Sequence, residues 1–301
     1  MQQNPYGLIP RDPLPGQAVY NRIFAGAGGA GASKDWREIL PPLERQYQIP
    51  FCVSFSRTNC AEAKAREAGI NLNLSDRELG VLSGTTKQGN YLDAVSDTFR
   101  KTGVTTEADV PFTMEMLTDI SDPVWKKTFA LPSTAGKKRY KGGSFSWVIG
   151  KAQMIDALQF SPLQMAIGIG DTWDDLGVIR KPSSITAYHA VTLAHIDGAG
   201  YIHIQDSIGR EWKTLTPDYP YTGILSFRDL PKNWKDIMAQ IDFVHKAGTS
   251  EYGFMEKTAH TEIYHKGVNE NHLVVLSEVF GVQIKNAAGQ IDFNKARDIN
   301  I

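Results

Sequence analysis

This chain of 301 residues has only two cysteines, a formal net charge of −1 and no run of about 20 apolar residues. Each shortage removes a class of function. Without an excess of one charge there is no long-range field to gather nucleic acid or an anionic membrane surface. The one basic cluster, Lys137-Lys138-Arg139-Tyr140-Lys141, is flanked by glycines and reads as a solvated loop. Without a long apolar run nothing predicts a membrane span, and Met1 to Pro10 lacks the basic-then-apolar plan of a signal peptide. The expectation is therefore no nucleic-acid or membrane partner, and a cytoplasmic or virion-associated setting. Cys52 and Cys60 stand eight positions apart on one predicted helix, about 12 Å by helical rise, which no disulfide spans; a reducing compartment fits that.

Metal and cofactor signals are equally thin. His260 and His265 do not have the spacing of a helical zinc pair, and Asp171, Asp174 and Asp175 around Trp173 do not follow a calcium loop. Those aspartates read as a solvated loop. Gly26, Gly28 and Gly31 spell G-x-G-x-x-G, but Pro41-Pro42 stops the following segment and no βαβ unit ensues, so the stretch reads as linker. No metal and no cofactor is expected.

What is present is ordinary globular material, 42% hydrophobic and 10% aromatic, enough for one large core or two smaller ones. Residues 1–34 form a Pro/Gly-rich N-terminal extension. Residues 51–68 predict a helix stopped by Gly69, with Cys60 in its core stripe. Ile70 to Leu74 alternates like a short strand, Ser75-Asp76-Arg77-Glu78 is a capping box, and Asn90 or Tyr91 through Thr102 is a further helix closed by Gly103. From about 142 short apolar runs take over: Ser144–Ile149, Leu163–Ile169, Ala190–Ile196, Tyr201–Gln205 and Ile224–Phe227, separated by Gly, Asp and Pro, predict antiparallel strands. The expected fold is α+β, a helical half at about 35–135 and a β half at about 140–244, with a cleft between them. Residues 245–301 form a C-terminal extension with a helix at Glu270–Phe280 and a hairpin at Asn286–Gly289. That extension is a candidate surface for a protein partner.

The chemistry starts at Cys52. A thiol at a helix start meets backbone N–H groups and the helix dipole, which favour a thiolate. His189 and Asp206 follow downstream, the order expected of a nucleophile with a distant base and orienter. If the turn Asp197-Gly198-Ala199-Gly200 has two or four residues, positions summing to 397 face each other, and His189 and Asp206 become diagonal neighbours on one sheet face. His195 then lies on that same face roughly 20 Å along the strand, and His203 on the other. Cys52 as nucleophile, His189 as proton partner and Asp206 as ring orienter make an acyl-transfer triad, with Gln46 and the Cys52 N–H as oxyanion donors.

These residues resemble the papain-like cysteine peptidases. Asp35-Trp36-Arg37-Glu38 is similar to the start of their mature chain, and Gln46 with Cys52-Val53-Ser54-Phe55-Ser56 to their glutamine and Cys-Trp-Ala-Phe-Ser. Leu74-Ser75-Asp76-Arg77-Glu78-Leu79 resembles Leu-Ser-Glu-Gln-Glu-Leu, Gly89-Asn90-Tyr91 their Gly-Gly-Tyr, Tyr188-His189-Ala190-Val191 their Asp-His-Ala-Val, and Tyr201 to Gly209 their Tyr-x-x-x-Lys-Asn-Ser-Trp-Gly. The matches run in order over about residues 35–215. The resemblance implies a helical left domain, an antiparallel β-barrel right domain, and a peptide or protein substrate bound extended against a wall at Gly89, Asn90 and Tyr91, with Tyr188 also at the site. Departures are equally specific: the family asparagine is Asp206, its shielding tryptophan is Ile208, the tryptophan after the nucleophile is Val53, and a family disulfide partner is Ile49. A divergent microbial or viral member is implied. The expected activity is endopeptidase hydrolysis through an acyl-thioenzyme. Two alternatives are a peptidoglycan- or amide-cleaving Cys-His-Asp acyl transferase, and a catalytically silent papain-fold binding protein whose groove is blocked by residues 1–34 or by the tail.

Overall fold

The computed structural model describes residues 6–20, 33–209, 212–230, 240–257, 262–267, 269–271, 273–274, 277 and 282–301. The chain divides into two compact units, Met1–Asp229 and Leu230–Ile301.

The first unit begins its regular structure with α1 (Cys52–Glu67), followed by α2 (Asp76–Leu82), α3 (Leu92–Lys101), α4 (Met114–Thr118) and α5 (Asp122–Phe129). Helix α1 is buried on nearly every side, the condition of a helix at the centre of a protein rather than on its surface. Gly69 ends it with φ of 72°. Ser75 caps α2 by accepting from the Glu78 N–H at 3.0 Å. The capping box is only half made, because the Glu78 carboxylate accepts from the backbone and hydroxyl of Thr105 at 2.6 and 2.9 Å. The strand expected at Ile70–Leu74 is reduced to a single bridge, Leu74 to Thr106.

The second half of this unit is a sheet built from β1 (Phe145–Trp147), β2 (Leu163–Gly170), β3 (Val178–Ile179), β4 (Ile185–Ile196), β5 (Ile202–Gln205), β6 (Trp212–Leu215) and β7 (Tyr221–Phe227), with α6 (Lys151–Ala157) between β1 and β2. The strand order is β1-β7-β2-β4-β5-β6-β3. All neighbours are antiparallel except β3 with β6. The sheet core joins Trp36, Met165, Ile167, Val191 and Leu193; the helical half has its own cluster of Phe51, Phe55 and Leu117. The architecture is the expected α+β arrangement. Its β half is an ordered sheet with β1 and β3 at its ends, so the barrel of the family pattern is not closed by strand pairing among the described residues.

The β4–β5 hairpin corrects one face assignment. Thr192 opposes Gln205 and Leu193 opposes Ile204, the register of the 397 rule, but a bulge follows and His195 opposes His203. One extra residue reverses the side-chain alternation beyond it. The two imidazoles therefore stack at 5.5 Å, instead of lying on opposite faces.

One cluster in the helical half has a pH consequence. Glu62 accepts from the Leu74 N–H at 2.7 Å, Asp76 from the Thr58 hydroxyl, Glu107 from the Phe112 N–H at 2.7 Å, and Glu44 acts on all three. Burial, reinforced by Glu44, pushes the Glu62 and Asp76 carboxyls well above the usual range, and burial pushes Glu107 up to about 8. A carboxyl raised in the folded state holds its proton there and loses it on unfolding as pH rises. Stability from Glu107 is thus fully present below about pH 4.5 and is lost as the pH climbs through about 8, and Glu62 and Asp76 act in the same direction. Urea unfolding of the full chain should show a midpoint that falls between those limits, with a slope on the order of 1 kcal/mol per pH unit. The Glu62→Gln/Glu107→Gln pair should flatten it; an equally steep slope in that variant would rule out the cluster as its source.

The second unit carries β8 (Gln240–Lys246), β9 (Tyr252–Lys257), β10 (Glu262–Lys266) and β11 (Arg297–Ile299), in the order β10-β9-β8-β11. Strand β8 pairs with β9 and β11, so the unit starts ahead of the 244/245 division the sequence texture suggests. Its core holds Phe243, Phe254, Leu273 and Ile284. The Asn286–Gly289 turn is present, with the Asn286 N–H on the Gln290 carbonyl at 2.8 Å and Gly289 at φ of 79°. Much of the predicted Glu270–Phe280 helix lies outside the described residues.

Candidate active site

Cys52 is the first residue of α1, and its Sγ accepts from the Ala190 N–H at 3.4 Å. The helix start is fastened to the sheet by Gln164 of β2, whose amide donates to the Val53 carbonyl at 2.7 Å and the Ser56 hydroxyl at 2.8 Å. This places the thiol beside β4, next to the residue that follows His189. The His189 Nε2 lies 2.8 Å from Asp206 Oδ1, and the Ile208 N–H donates to the same oxygen at 2.9 Å. Cys52, His189 and Asp206 are therefore gathered at one place, and all three have no solvent exposure.

Gln46 joins them from the preceding loop. Its N–H donates to the Ser207 carbonyl at 3.0 Å, its Oε1 accepts from the Ser207 hydroxyl at 2.6 Å, and its amide donates to the Ile49 carbonyl at 2.8 Å. The glutamine is thus tied to the residue that follows Asp206. The next residue, Tyr47, has φ of 49° and is the non-glycine with positive φ among the described residues. Such a backbone costs about 1 kcal/mol or more for a bulky residue, and here it sets the loop that carries Gln46.

The cleft between the halves is filled by the chain's own N-terminal segment. Residues 6–11 form a strap: Gly7 bridges His189, and Leu8 bridges Asn90. The Asn90 N–H donates to the Gly7 carbonyl at 3.0 Å, and the Ile9 N–H to the Asn90 carbonyl at 2.9 Å. Two glycines permit that approach. A Cβ on Gly89 would stand 1.9 Å from the Gly7 oxygen, and one on Gly7 would stand 2.2 Å from the Pro50 oxygen. The Tyr6 ring meets the His189 edge at 5.4 Å, and the Tyr6 carbonyl lies 3.4 Å from Nδ1. Leu8 is 2% exposed, and with Leu92, Trp147, Ala166 and Gly223 it lines a small pocket. Arg11 closes the strap on Asp93 and over the Tyr91 ring at 4.1 Å. Gly89, Asn90 and Tyr91 thus all meet the strap. Tyr188 is half-buried on β4, opposite Gly168.

Enclosure reverses one electrostatic expectation. Burial pushes the Cys52 thiol up, aided by the nearby Asp206 charge, and the amides of Ala190 and Val53 only partly offset it. Burial of the site thus opposes the thiolate that the helix start favours. At Asp206, burial acts upward, but the His189 hydrogen bond, the His189 charge and Lys213 outweigh it and hold the carboxyl below its ordinary range.

Three neighbours of the site escape sequence reasoning. Trp173, in the loop read as solvated, is 3% exposed and meets His189 edge-on at 6.0 Å. Lys213 of β6 is buried, with Nζ 3.0 Å from Asp206 Oδ2 and 3.5 Å from the centre of the Trp173 ring. The Tyr6 strap is the third; sequence reasoning named residues 1–34 as a possible block of the groove but not the residues that meet His189. Nothing in local spacing signals them, because each reaches the site from a different part of the chain.

Solved structures that resemble this chain include several cysteine proteases. Xylellain, a cysteine protease from Xylella fastidiosa, superposes with a TM-score of 0.59 at 16% identity, covering 76% of this chain and 97% of that one. The fold is papain-like. Bromelain protease from Ananas comosus, solved with the E64 inhibitor, gives 0.52 at 16% identity over 66% of this chain and 99% of that one. Procathepsin B S9 from Trypanosoma congolense gives 0.57 at 12% identity over 71% and 82%. No family model matches the sequence, and no curated protein matches it. At such identities the papain-like likeness establishes the fold, and the chemistry rests on the residues themselves.

Among the described residues no cluster of three or more His, Cys, Asp or Glu could hold a metal ion, and no helix is long and apolar enough to cross a membrane.

Proposed function

We propose that this chain is a cysteine endopeptidase of papain-like fold, held closed by its own N-terminal strap. The observation that carries this is the buried pair His189–Asp206 at 2.8 Å beside a cysteine at a helix start. In the open form Cys52 loses its proton to His189, and its sulfur attacks a peptide carbonyl. His189 then gives the proton to the leaving amine while Asp206 holds the ring, and water hydrolyses the thioester. The Cys52 N–H and the Gln46 amide are the donors assigned to the oxyanion. The strap supports a peptide substrate, since Asn90 already holds an extended backbone by two hydrogen bonds.

The burial of Cys52 favours one other reading, a papain-fold protein that stays shut and silent. Titration with an epoxide-type thiol inhibitor, with the adduct located by mass spectrometry, separates them. The expected result is an adduct on Cys52 that is lost in His189→Ala. Equal labelling of both chains, or none even when the strap is displaced, would sink the peptidase.

A further inference from the structure

We infer that Lys213 is a positioning residue that neutralises Asp206, so that Cys52 and His189 work beside a net-neutral acceptor instead of a bare carboxylate. The inference rests on the peptidase reading above.

The geometry behind it is a chain of contacts through β6, β5 and β4. Asp206 uses Oδ1 for His189 and for the Ile208 N–H. Its other oxygen, Oδ2, faces the Lys213 ammonium at 3.0 Å. That ammonium lies over the face of Trp173 at 3.5 Å, and the same indole meets His189 edge-on. A cation over an aromatic face is held electrostatically as well as by its anion, so Lys213 is fixed from two sides. Trp173 covers both partners and supplies the shield that Ile208 lacks.

The electrostatic consequence follows from the charges. A lone carboxylate beside an imidazole strongly favours the protonated ring. Protonation that is too stable leaves a poor proton donor for the departing amine at neutral pH. With Lys213 bound, the Asp206–Lys213 unit carries no net charge, yet Oδ1 remains an acceptor in the same place. It acts electrically as a side-chain amide would. The groups facing the carboxylate are His189 from β4, Cys52 from α1, Tyr6 from the strap and Lys213 from β6; Asp174, in the loop carrying Trp173, acts on Tyr6.

The test is the pH profile of Cys52 alkylation by iodoacetamide, measured by mass spectrometry from about pH 5 to about pH 10, in the full chain and in its Leu8→Asp form. Lys213→Met should move the alkaline limb upward by about one pH unit or more, and Lys213→Arg should restore it. Asp206→Asn/Lys213→Met, which removes both charges and keeps an acceptor, should return the profile to within a few tenths of a unit of the parent. If Lys213→Met is too unstable to purify, the double variant decides: a displacement of a unit or more overturns the inference. A Lys213→Met profile that overlays the parent, with only stability reduced, also overturns it and leaves the peptidase intact. No labelling of Cys52 in either chain at any pH overturns the peptidase reading, and this inference with it.

Discussion

Replacing Leu8 by aspartate should raise the rate of Cys52 alkylation, and of peptide hydrolysis, by about 10²-fold or more. The strap is held by a leucine at 2% exposure, two backbone hydrogen bonds to Asn90 and the Arg11–Asp93 pair. Full burial of a leucine stabilises by about 1.5–3 kcal/mol, and a carboxylate at this buried position adds a desolvation penalty. A loss of about 3 kcal/mol multiplies the open population roughly 10²-fold. The buried thiol is released at the same time, because the desolvation that pushes it up is relieved once water reaches it. Alkylation kinetics on the full chain and on Leu8→Asp provide the measurement. Equal slow rates in both would show that the strap does not control access.

Arg57→Ala should destabilise the first unit by about 3–5 kcal/mol, the usual loss when one partner of a buried ion pair is removed. Arg57 is fully buried on α1 and makes a two-pronged pair with Asp229 at 2.9 and 2.7 Å. Its guanidinium lies 3.9 Å from the Phe227 ring centre and 4.5 Å from that of Phe99. Asp229 also accepts from the Gly143 N–H at 2.9 Å. The pair thus clamps α1 to the end of β7, and the alanine variant leaves an unpaired carboxylate in that packing. Arg57→Met/Asp229→Leu, which removes both charges, should recover most of the loss, since apolar pairs of similar volume replace buried ion pairs at little cost. Urea denaturation of the two variants tests this; a single variant as stable as the parent would remove the clamp from consideration.

The site was legible where its signals were local or periodic. Cys52 announces itself by sitting at a helix start after Phe51, and α1 ends at Gly69 because a glycine takes its positive φ there. His189 and Asp206 could be paired from strand alternation, because a register that fits near Thr192 and Gln205 puts both on one face. That same alternation failed at His195 and His203, where a bulge inserts one residue. A bulge leaves no mark in the hydrophobic pattern, so the face assignment beyond it was reversed.

The sequence by itself determined the helical half, the strand-rich half and the three residues on which the proposed chemistry rests, since these follow from periodicity, turn residues and side-chain type. Only the tertiary structure decided the setting in which they stand. Tyr6 and Leu8 reach the cleft by long-range backbone pairing with β4 and the Asn90 wall. Lys213 and Trp173 reach Asp206 and His189 from other parts of the fold. Such contacts depend on which strands are neighbours, a choice made by the packing of the whole sheet. They enclose the acid-backed thiol and set the Lys213 ammonium against its acid.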